Sequence, residues 1–277
     1  MTKVFRVLFL TDSQLGLYAS FSGLSDEAVA GYADQGMLVA PVPAIEGHDW
    51  DARMYERAVV AANHMRPDLV LFGGDMIDDP NSEDQLDSFL AISRRLDPDI
   101  PMRFAPGNHD IAPDTIVPTE DGIAMYRAVY GDDYYSFRAG PAWFLVLNTV
   151  VIDHPELVPG EWEAQQAFID DALDAGEPPI VVGHHPFFLE NLHEEDSYWN
   201  LPAERRVPLV MRLRDKGVHL ALAGHWHRNK IARAGDLEMV TSGPVGYPLG
   251  DDPSGFRLVE ISEAGSVTHS YLPLGAE

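Results

Sequence analysis

The stretch "LFLTDSQLGL", residues 8–17, begins as an apolar run and stops at Asp12, with Gln14 two residues later. An acid at the end of a buried strand is either a cap on the next turn or the first ligand of a metal site. If Asp12 is a ligand, strand alternation points the residue two further on to the same side, and it belongs to the site as well. Histidine is the side chain expected there. The Gln needs an explanation.

Working outward, short apolar runs alternate with amphipathic stretches. Strand-like runs cover 4–11, 69–72, 102–105, 134–138, 143–147, 180–182, 219–223, 238–241, 256–261 and 267–271. In "DWDARMYERAVVAANHM", residues 49–65, Trp50, Met54, Ala58, Ala61 and Met65 recur at helical spacing. Asp49 or Asp51 is placed to cap its start. Similar patterns cover about 82–95, 119–130, 161–175 and 203–216. The first two thirds read as β-α-β units and the tail after Gly224 as consecutive strands. That mixture predicts an α/β protein of two packed sheets flanked by helices, in a single domain over residues 1–277. Segments 20–47 and 187–202 fit no element. Long loops of this kind are often functional.

Five loops that follow five of the runs carry metal-type residues. They are "TDSQ" with Asp12 and Gln14, "FGGDMIDD" with Asp75 and Asp78, "APGNHD" with Asn108 and His109, "VVGHHP" with His184 and His185, and "LAGHWH" with His225 and His227. In α/β sheets, sites gather at the carboxyl ends of strands, where all five loops lie. A Gly precedes the polar residue in four of them and lets the backbone turn sharply. Singly, each has an ordinary explanation: Asp75 as a turn residue, Asp110 as a helix cap, the His pair as one core and one surface residue, "HWH" as packing around Trp226. Jointly, carboxylate, amide and imidazole donors after buried strands are costly to bury without a cation. The other histidines (His48, His64, His154, His193, His219, His269) lack such a context.

Composition bounds the remaining choices. The 277 residues are 45% hydrophobic and 23% charged, the balance of a soluble globular protein. No apolar run approaches the roughly 20 residues that span a bilayer. The first run is broken by Arg6 and ends at Asp12, unlike a signal peptide, so the expectation is a cytoplasmic protein with no membrane partner. Without cysteine, any metal is held by O and N donors. The net charge of −25, with Lys3, Lys216 and Lys230 as the only lysines, disfavours nucleic acid. A salt-rich habitat produces the same acidity.

In order, the five loops resemble the motifs Asp-x-His, Gly-Asp-x-x-Asp, Gly-Asn-His-Asp/Glu, Gly-His and Gly-His-x-His of the calcineurin-like metallophosphoesterase superfamily. Gln14 is the one departure. The likeness runs from Phe5 to about Tyr271. It is nearest to the branch of calcineurin-like phosphoesterase domain-containing protein 1, which carries Asp-x-Gln at the first motif. That branch is also similar at "YGDDYYSF", "FLVLN", "GHWHRN" and "DPSGFRLV". The resemblance implies a four-layer α-β-β-α sandwich with two mixed sheets. It implies two divalent metals bridged by Asp75, one taking Asp12, Gln14 and His227, the other Asn108, His184 and His225. His109 would face the phosphoryl group, held by Asp78, and His185 would lie behind the ligands or face substrate. The vertebrate member of the branch is regarded as a Ser/Thr protein phosphatase.

The chemistry is coherent on its own terms. Two metals roughly 3.5–4 Å apart hold a bridging hydroxide for in-line attack on phosphorus. His109 can protonate the leaving oxygen or stabilise the pentavalent oxyanion, and a carboxylate at Asp78 favours its protonated form. A Gln carbonyl in place of imidazole keeps the charge and shifts preference from Zn²⁺ toward Mn²⁺, Fe²⁺ or Mg²⁺. The expectation is therefore a phosphomonoesterase acting on a phosphorylated small molecule or phosphoprotein. Rivals are a phosphodiesterase for cyclic nucleotides or glycerophosphodiesters, a nuclease, and a non-catalytic metal-binding scaffold. The acidic and aromatic segment 187–202 is expected to form a rim that disfavours polyanionic substrates.

Overall fold

The structure, a computed structural model, describes residues 4–112 and 117–275. In chain order the elements are β1 (Phe5–Leu10), α1 (Leu17–Ser20), α2 (Asp26–Asp34), α3 (Asp49–Met65), β2 (Leu69–Phe72), α4 (Glu83–Ser93), β3 (Met102–Phe104), α5 (Asn108–Ile111), α6 (Glu120–Tyr130) and β4 (Tyr135–Ala139). There follow β5 (Ala142–Val146), α7 (Thr149–Asp153), α8 (Pro159–Asp174), β6 (Ile180–Val182), α9 (Ala203–Asp215), β7 (Leu220–Ala223), β8 (Lys230–Ala234), β9 (Leu237–Thr241), β10 (Gly255–Ile261) and β11 (Val267–Pro273).

The strands form two mixed sheets, ordered β11-β10-β1-β2-β3 and β4-β5-β6-β7-β9-β8. Within them β1, β2 and β3 run parallel, as do β5, β6, β7 and β9. The central strands read as unbroken apolar runs because both of their faces are covered. Val7, Phe9, Leu69 and Leu71 meet Phe144, Val146, Val182 and Leu222 between the sheets. The alternate residues Leu8, Leu10, Val70 and Phe72 pack outward on Tyr55 and Ala58 of α3, Phe89 of α4 and Tyr126 of α6. On the far side, Leu145, Val181 and Ala221 pack on Ile169 and Leu173 of α8 and Leu209 and Leu213 of α9. The result is the expected α-β-β-α sandwich. Every parallel strand of both sheets ends at the same edge.

Several elements differ from the sequence reading. Strand β8 carries Lys230 and Arg233 and pairs only with β9, so an edge strand lacks the apolar run that marks a central one. Segment 20–47 holds α2, whose Ser25 accepts from Ala28 N at 3.2 Å. None of its residues is buried, and no apolar stripe marks it. Neither Asp49 nor Asp51 caps α3. The cap residue is His48, whose side chain makes no capping bond, and the buried Asp51 carboxylate instead accepts from Gly16 N at 3.1 Å and Tyr18 N at 3.3 Å. No helix among the described residues is long and apolar enough to cross a membrane.

Candidate metal centre

The five loops converge at the shared edge, held by an unusual backbone. Among the described residues, the non-glycine positions with positive φ are Asp12 (52°), Gln14 (34°), Arg66 (48°), Asp75 (54°), His225 (68°) and His227 (53°). All but Arg66 belong to the residues singled out from the sequence. Left-handed backbone at non-glycine residues is uncommon and concentrates at functional sites. It also corrects the alternation argument. Asp12 and Gln14 share a cavity because the chain hooks after β1, with Asp12 N donating to Gly74 O at 3.0 Å and Gln14 N to Asp75 O at 2.9 Å. Gly74, with φ of 96°, makes the turn expected of these glycines, while Gly107 and Gly224 have a different purpose. A Cβ at Gly107 would lie 2.1 Å from Asp75 Oδ1, and one at Gly224 would lie 2.4 Å from Asp12 Oδ2. They make room for the carboxylates.

Each imidazole is oriented by a carbonyl. His184 Nδ1 donates to Gly73 O at 2.8 Å and His227 Nδ1 to Tyr247 O at 2.7 Å, which turns Nε2 of each toward the carboxylates. His225 is reversed: Nε2 donates to Tyr198 O at 2.9 Å and Nδ1 is left. His184 Nε2 lies 3.1 Å from Asp75 Oδ2 and 3.9 Å from Asp12 Oδ1, and His227 Nε2 lies 3.4 Å from Asp12 Oδ1. One donor atom each from Asp75, His184 and His225 falls within 4.8 Å of the others. The carboxylates are braced as well. Asp12 accepts from Thr11 Oγ1 at 2.7 Å and from His225 N at 3.1 Å, and Asp75 accepts from His109 N at 2.9 Å.

The donor set fits a cation on an observation independent of the motifs. Gln14 Oε1 and both amide atoms of Asn108 are buried without a hydrogen-bond partner, and His184 Nε2, although 3.1 Å from Asp75 Oδ2, makes no bond of normal geometry. The Tyr198 hydroxyl is near enough to Asn108 to interact with it, yet makes no bond of normal geometry there. Orphaned buried polar atoms are costly unless something absent satisfies them. In the protein alone the charges compensate one another in part. Burial opposes ionisation of Asp75, but His184 and His109 hold its carboxyl below the usual range. Burial would lower His184, and Asp75 raises it to about 9. Burial, with the charge of His184, pushes His225 down to about 3.

The remaining predicted residues divide. His109 lines a cleft of about 370 Å³ with Gln14, Asp75, Asp78, His225 and His227. Its Nδ1 donates to the backbone carbonyl of Asp78 at 2.8 Å, while the Asp78 carboxylate stands 3.5 Å away. Asp78 therefore holds His109 chiefly through the main chain. His185 does not face the cleft; it is buried, its Nδ1 lies 3.1 Å from Thr149 Oγ1, and its ring packs 4.3 Å from that of His225. Three of the four acids of segment 187–202 are also occupied elsewhere. Glu194 accepts from Leu189, Glu190 and Asn191 N, Asp196 pairs with Arg206, and Glu190 with Lys230. Its aromatic residues Tyr198 and Trp199 line the cleft with Leu17, Phe21, Tyr32, Met37 and Leu249.

Sequence reasoning did not assign Asp110, Thr149, Tyr198 or Tyr247 to the site. Asp110 accepts from Asp75 N, Met76 N and Gly107 N, and Thr149 Oγ1 accepts from His184 N and His185 N. Asp110 sits inside a quoted motif and makes the helix cap expected of it, through Gly107 N; its bonds to Asp75 N and Met76 N go beyond that role. The others act through carbonyls or a single hydroxyl, for which no residue type is diagnostic.

The calcineurin-like phosphoesterase family model matches residues 5–229. The chain is similar to the serine/threonine-protein phosphatase CPPED1 of Homo sapiens, 33% identical over 242 residues, which cover 82% of this chain and 76% of that protein. The CPPED1 of Danio rerio is 34% identical over 238 residues, 81% of this chain and 76% of that protein. In fold, the structure is similar to a dimetal phosphatase from Danio rerio, with a TM-score of 0.62 and 15% identity over 98% of this chain and 99% of the other.

Proposed function

The chain belongs to the calcineurin-like phosphoesterase family, and on that premise we propose that it hydrolyses phosphomonoesters, with phosphoserine and phosphothreonine in proteins as its substrate class. It is a metal-dependent phosphoesterase. The observation that carries the site is the set of orphaned donors, Gln14 Oε1, Asn108 Oδ1 and His184 Nε2, beside the grouped Asp75, His184 and His225. In this reading two divalent cations would share Asp75, one held also by Asp12, Gln14 and His227 and the other by Asn108, His184 and His225. When bound, such a pair supplies Lewis acidity toward the phosphoryl group and a nucleophile at neutral pH. Four oxygen donors beside three imidazoles, without thiolate, favour Mn²⁺, Fe²⁺ or Mg²⁺ over Zn²⁺.

The chain's own groups supply the rest. His109 Nδ1 donates to a carbonyl, so a protonated ring carries its second proton on Nε2, available to the leaving oxygen. The Asp78 carboxylate stands 3.5 Å from the ring and leaves Nε2 uncovered. Among the described residues, no Lys or Arg lines the cleft. Arg228 stands nearby, but its guanidinium is held by the carbonyls of Gly36 and Leu249. A second phosphate of a polyanionic substrate would lack a cationic side chain, whereas an apolar flank would meet Phe21, Met37 and Trp199. That supports a single ester phosphate on a peptide.

The test is turnover of para-nitrophenyl phosphate beside its bis-ester, and of phosphoserine peptides, by chelator-stripped protein reloaded with Mn²⁺, Fe²⁺, Mg²⁺ or Zn²⁺. The monoester and the peptides should turn over faster than the diester, best with Mn²⁺ or Fe²⁺. Faster diester cleavage with every metal would overturn the monoester assignment. Full activity in stripped protein would overturn the metal sites.

A further inference from the structure

The Asp78 carboxylate has an occupation that its motif does not announce. Its Oδ1 accepts from Gln14 Nε2 at 3.0 Å and its Oδ2 from Ser20 Oγ at 3.1 Å. The backbone around it is pinned, with Asp78 N donating to Leu15 O and to Gln85 Oε1, both at 3.1 Å. Gln14 in turn is buried, in left-handed backbone, with Oε1 orphaned.

A primary amide is nearly symmetric in shape and opposite in chemistry at its two ends. Only the carbonyl oxygen can face a cation, and the NH₂ group repels one. Nothing in the Gln side chain selects between the two orientations. A carboxylate does, because it only accepts hydrogen bonds, so the end of the amide that meets it is Nε2. We propose that Asp78 is a positioning residue that locks the Gln14 amide with its carbonyl oxygen turned to the cation site. An imidazole at position 14 would coordinate without such a lock, so the Gln of the first loop and the carboxylate of Asp78 work as a pair. The role is separate from that of His109, whose bond is to the main-chain oxygen of Asp78 and does not depend on the carboxylate.

The inference rests on the metal reading above, and one experiment separates their failures. Stripped wild type, Asp78→Ala, Gln14→Ala and the double variant are titrated calorimetrically with Mn²⁺, with melting curves to establish folding. Wild type should bind two equivalents in two steps. Asp78→Ala should loosen one step by about 10–100-fold, the usual effect of removing a group that orients a ligand. With Gln14 already Ala, the same change should leave only the smaller loss that a missing negative charge imposes on both steps. Asp78→Asn, which offers the amide either face, should fall between Asp78→Ala and wild type and serves if Asp78→Ala does not fold. Fewer than two equivalents in wild type would overturn the metal reading and the lock together. Two equivalents, with Asp78 substitutions acting equally in both Gln14 backgrounds, would overturn the lock alone.

Discussion

The carboxylate of Asp110 accepts the backbone N–H of Asp75 at 2.8 Å. The same carboxylate takes Met76 N at 2.9 Å and Gly107 N at 2.8 Å. One buried side chain thus ties the loop after β2 to the loop after β3 and sets the direction of Asp75. Burial, with the neighbouring Asp75 charge, pushes the Asp110 carboxyl up to about 7.

Asp110→Ala should therefore damage stability before chemistry. It strands three buried N–H groups, each worth about 1–3 kcal/mol when unsatisfied. A loss of about 3 kcal/mol or more in urea unfolding is expected, with Asp110→Asn losing less because one oxygen still accepts. A loss below about 1 kcal/mol for Asp110→Ala would mean that the loops are held by other contacts.

His109→Ala should do the reverse. The ring is partly exposed in the cleft and makes one bond, to a carbonyl. Turnover should fall by about 10²–10⁴, with unfolding and metal content close to wild type by elemental analysis. Loss of bound metal would make His109 a ligand and not a proton donor.

The parts of the fold read most directly were those buried on both faces. Strands β2 and β6 fall where the apolar runs place them, at Leu69–Phe72 and Ile180–Val182, because only side-chain burial decides them. The polar loops were readable because Asp, Asn and His after a buried strand are expensive unless used. What stayed hidden was backbone. The left-handed conformations at Asp12, Gln14, Asp75, His225 and His227, and the carbonyls of Gly73, Tyr198 and Tyr247 that orient the rings, leave no mark in residue type. Glu190, Glu194 and Asp196 of segment 187–202 are hidden for a related reason. Their charge is visible in the sequence, but the N–H groups and cations that occupy it are not.

Trp199→Ala tests the rim that replaced the acidic one. Trp199 and Tyr198 line the cleft together with Phe21 and Met37. Losing an aromatic contact of about 1–2 kcal/mol raises KM roughly tenfold. That rise is expected for a phosphopeptide with aromatic flanks, with little change for para-nitrophenyl phosphate. Exchanging flanking Arg for Glu should matter less than removing the aromatic flanks. Equal KM changes for peptide and small substrate would place Trp199 in the support of His225, whose ring it neighbours at 5.5 Å, and not in substrate contact.

Asp51 gives a pH signature away from the ligands. Its carboxylate is buried at the start of α3, accepting from Gly16 N and Tyr18 N, with Oδ1 unpartnered. Burial, assisted by the Asp78 charge, raises its carboxyl from 3.8 to about 7. Between those two values the folded protein keeps a proton that the unfolded chain has lost. Native stability from this group is therefore greatest below the unfolded value and declines as pH rises, levelling off above the folded one. The interval corresponds to about 4 kcal/mol at most, at about 1.4 kcal/mol per pH unit. Asp51→Asn keeps one acceptor for the two N–H groups and cannot ionise. Unfolding free energies of the metal-loaded wild type and Asp51→Asn, measured from pH 4 to 8, should diverge in favour of the variant as pH rises, since the pH dependence of metal binding is common to both. Parallel profiles would mean that Asp51 is ionised throughout, its charge met by the two N–H donors alone.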